Sequence, residues 1–224
     1  MTILWDWNGT LLDDTDACVA SLNLMLERRG VKPITLEFYR REFAFPVRSF
    51  YEKIGVRLED EDWDRLAREY HDTYHAQPLG LNAEAVSALE SARAAGMRQS
   101  IISAMRQDML ERDTAAFGIA GYMDYIYGTD NLNGGSKLSR ARELLSRLGE
   151  RDMREVVVIG DALHDWEVAE DLGARCVLFS GGGHSAERLA RVAPTTDSLV
   201  DCIRLARSLG EALPGPVARV PASH

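Results

Sequence analysis

The stretch Asp6-Trp7-Asn8-Gly9-Thr10-Leu11 decides the fold, and it follows the apolar run Ile3-Leu4-Trp5 near the start of the chain. The apolar run predicts a buried strand over 2–6, and the Gly-Thr pair predicts a turn directly after it. Open parallel sheets bind their ligands just beyond the carboxyl ends of their strands. An acid at this place meets a ligand rather than the core, so Asp6 is a candidate nucleophile.

The composition is that of a globular protein. The chain has 224 residues, of which 46% are apolar, and this is enough for one good core and a second small one. No apolar run approaches the length of a membrane span, and Met1 leads into a strand rather than a signal peptide, so we expect a soluble, cytoplasmic protein. The three cysteines form no CxxC pair, as is typical of reduced structural thiols.

After the first strand, the chain has a helical stretch. Strands that alternate with helices follow it. Apolar spacing predicts a helix over 16–29 and a helical stretch that runs to Tyr74, with interruptions at Pro33, Pro46 and Gly55. Residues 77–80 have the composition of a hinge. The elements predicted after this hinge are helix 83–95, strand 98–103, helix 107–117, strand 125–127, helix 139–148, strand 155–160, helix 165–172, strand 174–179, and helices 185–192 and 199–209.

This alternation predicts an α/β fold with a doubly wound parallel sheet, a Rossmann-like core, and an inserted α-helical cap domain. The first strand precedes the helical stretch and its partner strands follow it, so the stretch is an insertion. We expect residues 1–14 and 80–224 to form the Rossmann-like catalytic core and residues 15–79 to form the helical cap domain. The end of the chain, from Leu213, is expected to be a poorly packed tail.

Polar side chains lie where other predicted strands end. Ser103 ends strand 98–103, and Asp161 follows strand 155–160, with Asp165 four residues later. Lys137, one of three lysines, follows a glycine-containing loop that opens a helix, where an anion is favoured. Together with Asp6 these are the groups of Mg²⁺-assisted phosphoryl transfer through an aspartyl-phosphate. Ordinary structural roles are the alternatives: a helix N-cap for Asp165, a cap for Ser103 and a solvated position for Lys137.

Taken in order, these motifs resemble those of the haloacid dehalogenase-like hydrolase superfamily, on its phosphoglycolate-phosphatase-like side with a small helical cap. Residues 6–11 match the first motif, Ile101-Ile102-Ser103 the second, Lys137 the third, and Gly160-Asp161 with Asp165 the fourth. The resemblance covers nearly the whole chain, and four motifs in the right order are far more specific than any one of them.

The resemblance implies a metal site. Asp6 would attack phosphorus and also bind Mg²⁺, with the backbone carbonyl of Asn8 and the carboxylate of Asp161 as the other protein ligands. Mg²⁺ takes few carboxylates and keeps several waters, which agrees with so small a set.

The resemblance also implies how a phosphate is held. Ser103 would hydrogen-bond a phosphoryl oxygen, Lys137 would neutralise developing charge, and Asp165 would orient Lys137 or a metal-bound water. The turn that follows Asp6, up to Thr10, would complete the phosphate cradle.

Two positions depart from the family's pattern. The phosphatases have an aspartate two residues after the nucleophile as general acid and base, and this chain has Asn8. An amide cannot deliver a proton at neutral pH, whereas general acid–base catalysis contributes about 10²- to 10⁴-fold. Asp13, Asp14 or His164 are candidate substitutes for the missing acid. The family's lysine is commonly followed by proline, and Leu138 stands there instead.

Two functions follow from these motifs. The first is an Mg²⁺-dependent phosphohydrolase for a small phosphorylated metabolite, impaired or selective for good leaving groups because of Asn8. The alternative is a catalytically weak regulatory protein that binds phosphate and metal. A true dehalogenase fits least, because Gly160-Asp161 implies a metal site that dehalogenation does not use.

The charge distribution bears on the partners. The net charge of −9 argues against a nucleic-acid surface, which requires a basic face. Residues 27–57, however, carry eight basic and four acidic side chains, a net charge of +4. These charges are either solvated helix faces or a positive lid over an anionic substrate, with Arg41 and Arg48 as substrate contacts beside Arg40 and Lys53. We expect a small anionic metabolite as partner, no nucleic acid, no membrane, and a monomer or homodimer.

Overall fold

The computed structural model describes residues 1–130 and 137–211, so the predicted loop 133–136 and the predicted tail lie outside the described residues. The strands are β1 (Thr2–Trp5), β2 (Leu12–Asp13), β3 (Gly80–Leu81), β4 (Arg98–Arg106), β5 (Tyr125–Thr129), β6 (Val156–Gly160), β7 (Arg175–Phe179) and β8 (Thr195–Thr196). The α-helices are α1 (Thr15–Arg28), α2 (Leu36–Glu42), α3 (Val47–Lys53), α4 (Trp63–His75), α5 (Ala85–Ala94), α6 (Gln107–Ala116), α7 (Lys137–Leu148), α8 (Leu163–Leu172), α9 (Ala186–Leu189) and α10 (Leu199–Glu211). Short 3₁₀ turns cover Leu58–Asp60, Ala120–Tyr122 and Met153–Glu155.

Six strands form one parallel sheet in the order β5-β4-β1-β6-β7-β8. The first strand lies at the centre, where Trp5 is in register with Ile101 of β4 and with Ile159 of β6. All residues of β1 and β6 are buried, as is expected for strands that helices cover on both faces. The predicted α/β fold with a doubly wound parallel sheet is confirmed.

Apolar side chains form a separate cluster on each face of the sheet. One cluster joins alternate residues of β1 to helices α5, α6 and α10, for example Ile3 to Leu89 and Ile203. The other joins Leu4 to helices α7 and α8. The alternation of Ile3 and Leu4 between the faces follows from the two-residue period of a strand, and it fixes the register of the central strand.

Helices α1 to α4 form the insertion and bury an apolar cluster of their own, which includes Leu22, Phe50 and Leu66. The chain leaves and re-enters the main sheet through a two-stranded antiparallel ribbon, in which Leu12 pairs with Leu81. This ribbon lies at the junction of the expected domains, 1–14 with 80–224 and 15–79, and the division itself stays a prediction. No helix within the described ranges is long and apolar enough to cross a membrane.

Several element ends differ from the predictions. Strand β4 continues past Ser103 to Arg106, with a register shift against β5 after Ile102. Helix α8 begins at Leu163, so Asp165 lies in its first turn instead of at its N-cap. Its carboxylate accepts a hydrogen bond from the backbone N–H of Ala162. This bond satisfies a backbone donor at the start of the helix.

Candidate active site

Asp6 lies directly after the central strand, at the carboxyl edge of the sheet. Its backbone N–H donates to the carbonyl of Ile159 over 2.8 Å, which extends the pairing of β1 with β6 by one residue. Its carboxylate oxygen Oδ1 accepts from the backbone N–H of Trp7 over 2.6 Å. The side chain is also buried. These two hydrogen bonds and the burial fix the position of the candidate nucleophile.

Lys137 joins two carboxylates. Its Nζ lies 2.7 Å from Oδ1 of Asp6 and 2.9 Å from Oδ1 of Asp165, and the residue is only 4% exposed. Burial acts to lower the pKa of Lys137, but the carboxylates of Asp165 and Asp6 outweigh it and hold the pKa above its ordinary value. The ammonium group is therefore charged. Both oxygens of Asp165 are occupied, one by Lys137 and one by the N–H of Ala162, so this acid positions the lysine.

Asp161 follows β6 and faces Asp6 across the same edge. Its Oδ1 accepts from the hydroxyl of Thr10 over 2.9 Å, and its Oδ2 accepts from the backbone N–H of Gly183 over 2.5 Å. Burial and the nearby charge of Asp165 raise the pKa of Asp161 to about 7. Thr10 is fully buried, and the structure places it behind Asp161 as a support for that carboxylate.

The donor set fits a hard divalent cation. Carboxylate oxygens of Asp6, Asp161 and Asp165 lie within 4.8 Å of one another, and all three residues are buried. Burial and the charge of Asp165 raise the pKa of Asp6 well above its usual value. One lysine cannot neutralise three buried carboxylates, and an oxygen-seeking cation such as Mg²⁺ would favour their ionised forms.

Ser103 lies in the same cavity and is buried. Its Oγ accepts from the backbone N–H of Met105 over 3.0 Å, in the segment where β4 shifts register. Since a serine hydroxyl is both donor and acceptor, this contact leaves its proton for a ligand oxygen.

Asn8 contacts Asp14 and, in α4, Tyr74. Its amide Nδ2 lies 2.7 Å from Oδ2 of Asp14 and 3.1 Å from the hydroxyl of Tyr74, which itself donates to Oδ2 of Asp14 over 2.5 Å. The other oxygen of Asp14 accepts from the N–H of Gly9 over 2.6 Å. Burial raises the pKa of Asp14, which is 1% exposed. Sequence reasoning missed Tyr74, since 66 residues separate it from Asn8 and no local pattern marks it.

The predicted basic contacts lie elsewhere. Arg41 pairs with Glu42 over 2.8 Å, and the guanidinium of Arg48 lies 4.7 Å from the ring centre of Trp63. Lys53 also pairs with Glu42. None of these residues lines the cavity at Asp6, and neither does Arg40. Arg40 donates instead to the carbonyls of Gly181 and Gly182.

Asp13 and His164, the other candidate substitutes for the missing general acid, lie in different places. Asp13 is exposed in the ribbon, whereas His164 lines the cavity, with its Nδ1 3.2 Å from a carboxylate oxygen of Glu167. His184 is buried and accepts from the N–H of Leu163. The glycine loop, Gly181-Gly182-Gly183, directly precedes His184. It approaches Asp161, and a Cβ at Gly182 would overlap that carboxylate and the carbonyl of Gly9.

Comparisons with known proteins show the family of the chain. The model of the haloacid dehalogenase-like hydrolase family matches residues 3–179. Phosphoglycolate phosphatase of Caulobacter vibrioides is 23% identical over 188 residues, which cover 81% of this chain and 79% of that protein.

Solved structures share the fold. A conserved haloacid dehalogenase-like protein of unknown function from Agrobacterium tumefaciens is similar with a TM-score of 0.76 and 16% identity, over 93% of this chain and 98% of that chain. Protein Tyrosine Kinase A of Mycobacterium tuberculosis is similar with a TM-score of 0.75 and 22% identity, over 93% and 97% of the two chains. At these identities the likeness shows the fold alone. From the family match over residues 3–179 and the motifs that fall within it, the chain belongs to the haloacid dehalogenase-like hydrolase family.

Proposed function

We propose that the protein is an Mg²⁺-dependent phosphohydrolase that acts on a small phosphorylated metabolite through an aspartyl-phosphate on Asp6. The observation that carries the proposal is the contact of one buried ammonium, Lys137, with both Asp6 and Asp165 at the carboxyl edge of the sheet. This arrangement sets a fixed carboxylate beside a fixed positive charge, as attack on a phosphoryl group requires.

The residues divide the reaction between them. An oxygen of Asp6 forms a bond to phosphorus while the bond to the leaving oxygen breaks, and water then hydrolyses the acyl phosphate. Lys137 stabilises the charge that develops, Asp165 holds the lysine, and Ser103 donates to a phosphoryl oxygen. A Mg²⁺ ion held by Asp6 and Asp161, with the carbonyl of Asn8, would supply further charge neutralisation when bound.

The leaving oxygen has no proton donor at position 8. The amide of Asn8 is directed at Asp14 and Tyr74, and it cannot protonate an alkoxide. The leaving oxygen then departs as an anion, so turnover is expected to favour acyl and aryl phosphates over alkyl esters.

Hydrolysis of acetyl phosphate tests the proposal, because its leaving group needs no acid. Wild-type protein should release phosphate with Mg²⁺ and not with EDTA. Asp6→Asn should abolish turnover with an unchanged circular dichroism spectrum, and Asp161→Asn should raise the Mg²⁺ concentration required. Asp16→Asn is the matched control, because Asp16 is exposed on α1. Near-normal turnover by Asp6→Asn would refute the aspartyl-phosphate.

The alternative is a weakly catalytic regulatory protein, which Asn8 favours. It predicts that Mg²⁺ and phosphate bind to the wild type with no turnover of any acyl or aryl phosphate, and that Asp6→Asn changes this binding. Titration calorimetry beside the same assay separates the two functions.

A further inference from the structure

The cavity at Asp6 continues from the sheet into the cap, and its two ends differ in chemistry. The sheet end presents the groups already described, Asp6, Ser103, Lys137 and Asp161. The cap end is lined mainly by aromatic and aliphatic side chains, among them Phe43, Phe45, Val47, Tyr51, Trp63 and Tyr70. A ligand with its phosphoryl group at Lys137 therefore has its remainder against apolar walls.

The charges in this cavity disfavour a second anion on the ligand. Within the described parts of the chain, Lys137 is the one lysine or arginine that lines it, and this lysine already contacts two carboxylates. Asp14 and Asp161 also line the cavity. Two histidines, His71 and His164, are its other basic side chains, and His164 is within hydrogen-bond distance of Glu167. A carboxylate on the leaving group would meet like charges and no guanidinium.

The aromatic walls of the cavity can pack against a ring of the ligand. Aromatic neighbours support one another: the ring centres of Phe43 and Phe50 lie 5.2 Å apart at 85°, and those of Tyr51 and Trp63 lie 5.9 Å apart. Arg48 covers Trp63 with its guanidinium 4.7 Å from the ring centre. The cavity has a volume of about 220 Å³. Since benzene fits an apolar cavity of about 150 Å³, there is room for one ring together with its phosphoryl group.

We propose that the substrate is an aryl phosphate monoester with a single aromatic ring and no second anionic group. This inference rests on the proposed function and names its substrate class. An oxygen of Asp6 bonds to phosphorus, the bond between phosphorus and the aryl oxygen breaks, and the electron pair leaves with the phenolate. Water then hydrolyses the acyl phosphate to Asp6 and inorganic phosphate, releasing a proton. A phenolate leaves without the acid that Asn8 cannot provide, so the cavity and position 8 favour the same substrates.

The first test compares kcat/KM for phenyl phosphate, benzyl phosphate and phosphoglycolate. Phenyl phosphate should exceed phosphoglycolate by about tenfold or more, within the range that one apolar pocket provides. Benzyl phosphate has a ring but an alkoxide leaving group, so its KM should match that of phenyl phosphate while its kcat falls. A preference for phosphoglycolate would overturn the inference.

A cavity-filling substitution tests the location of the ring. Ala67 lines the cavity from α4, so Ala67→Leu should lower the ratio of kcat/KM for phenyl phosphate to that for acetyl phosphate by about tenfold. Ala76→Leu, at the exposed end of the same helix, should leave this ratio unchanged. Equal ratios in both variants would place the ring elsewhere.

A binding experiment separates this inference from the proposed function. Phenylphosphonate should bind to the Mg²⁺-loaded protein at least about tenfold more tightly than methylphosphonate in titration calorimetry, and Ala67→Leu should remove the difference. Acetyl phosphate turnover with equal affinities would overturn the aryl inference and leave the hydrolase intact. Tighter phenylphosphonate binding without any turnover would refute the hydrolysis and support the ring site alone.

Discussion

The side-chain amide of Asn8 and the carboxylate of Asp14 form a direct hydrogen bond of 2.7 Å. Tyr74, from the last turn of α4, donates to the same oxygen of Asp14, so the contact joins the turn after the nucleophile to the cap. An aspartate at position 8 would set two carboxylates against each other. Asn8, where the chain departs from the family's pattern, therefore supplies the donor that the buried carboxylate of Asp14 accepts.

Asn8→Asp is expected to destabilise the protein by about 1–3 kcal/mol at neutral pH, because a donor becomes a second acceptor. Mutual repulsion raises the pKa of the carboxyl pair in the folded state above its unfolded value. The relative loss should therefore be small near pH 4, the ordinary range of carboxyl groups, and should grow as the pH rises. Urea unfolding at several pH values measures this.

The exchange Asn8→Asp with Asp14→Asn restores one donor and one acceptor. We expect it to recover most of the lost stability and to place a carboxyl group where the family has its general acid. Alkyl phosphate turnover should then rise toward the 10²-fold lower bound of general acid catalysis. If the stability losses of Asn8→Asp and Asp14→Asn simply add in the double variant, the Asn8 and Asp14 side chains are not coupled.

Lys137→Met should remove most activity and also destabilise the fold. It leaves Asp6 and Asp165 buried without their shared cation, and breaking a buried ion pair costs about 3–5 kcal/mol. We expect kcat to fall by about 10²- to 10³-fold in whatever protein remains folded. Lys53→Met is the control, since Lys53 is exposed and its pair with Glu42 lies at the surface, where ion pairs contribute little to stability.

Gly182→Ala should weaken metal binding, because the new methyl group overlaps the carboxylate of Asp161 and the carbonyl of Gly9. We expect a higher Mg²⁺ requirement in the acetyl phosphate assay and a stability loss of about 1–3 kcal/mol. At Gly121 an added Cβ meets no atom within 4 Å, so Gly121→Ala serves as the control. If both variants titrate with Mg²⁺ like the wild type, the glycine loop does not support Asp161.

The parallel sheet and the places of Asp6 and Asp161 could be predicted from the sequence, because strand ends are local features. An apolar run that stops at an acid indicates both the strand and the edge where its side chain lies. Lys137 lies outside any strand, and it could be included because it follows a glycine-containing loop that opens a helix and because the motifs occur in a known order.

The cap side of the site could not be predicted in this way. Short helices such as α2 and α3, of seven residues each, have too few turns to show which face meets the core. The charge of residues 27–57 left two interpretations open, solvated helix faces or a basic lid. In the structure Arg41 pairs with Glu42, and aromatic side chains such as Trp63 line the cavity. Which face of a helix approaches the sheet depends on tertiary packing. The number of charged residues in a segment does not determine that face.

Arg40 connects this packing to Asp161, the proposed metal ligand, and the replacement of Arg40 is the last prediction. Its guanidinium donates to the carbonyls of Gly182 and Gly181 over 2.9 and 2.8 Å, and its own carbonyl accepts from the N–H of Ser185. The N–H of Gly183, in the same loop, holds Asp161. Arg40→Ala removes hydrogen bonds from a charged donor, each of which contributes about 1.5–3 kcal/mol.

We therefore expect amide exchange in residues 181–185 to accelerate by about tenfold or more in Arg40→Ala, with a higher Mg²⁺ requirement for turnover. Arg41→Ala is the matched control: Arg41 is the next residue, is exposed and pairs with Glu42, so loop exchange and kinetics should match the wild type. If Arg40→Ala behaves like the wild type and Arg41→Ala has a raised KM for anionic substrates, the basic-lid interpretation is correct. Hydrogen–deuterium exchange and steady-state kinetics on the two variants decide between a basic lid that attracts the substrate and a structural contact in which Arg40 fixes the glycine loop.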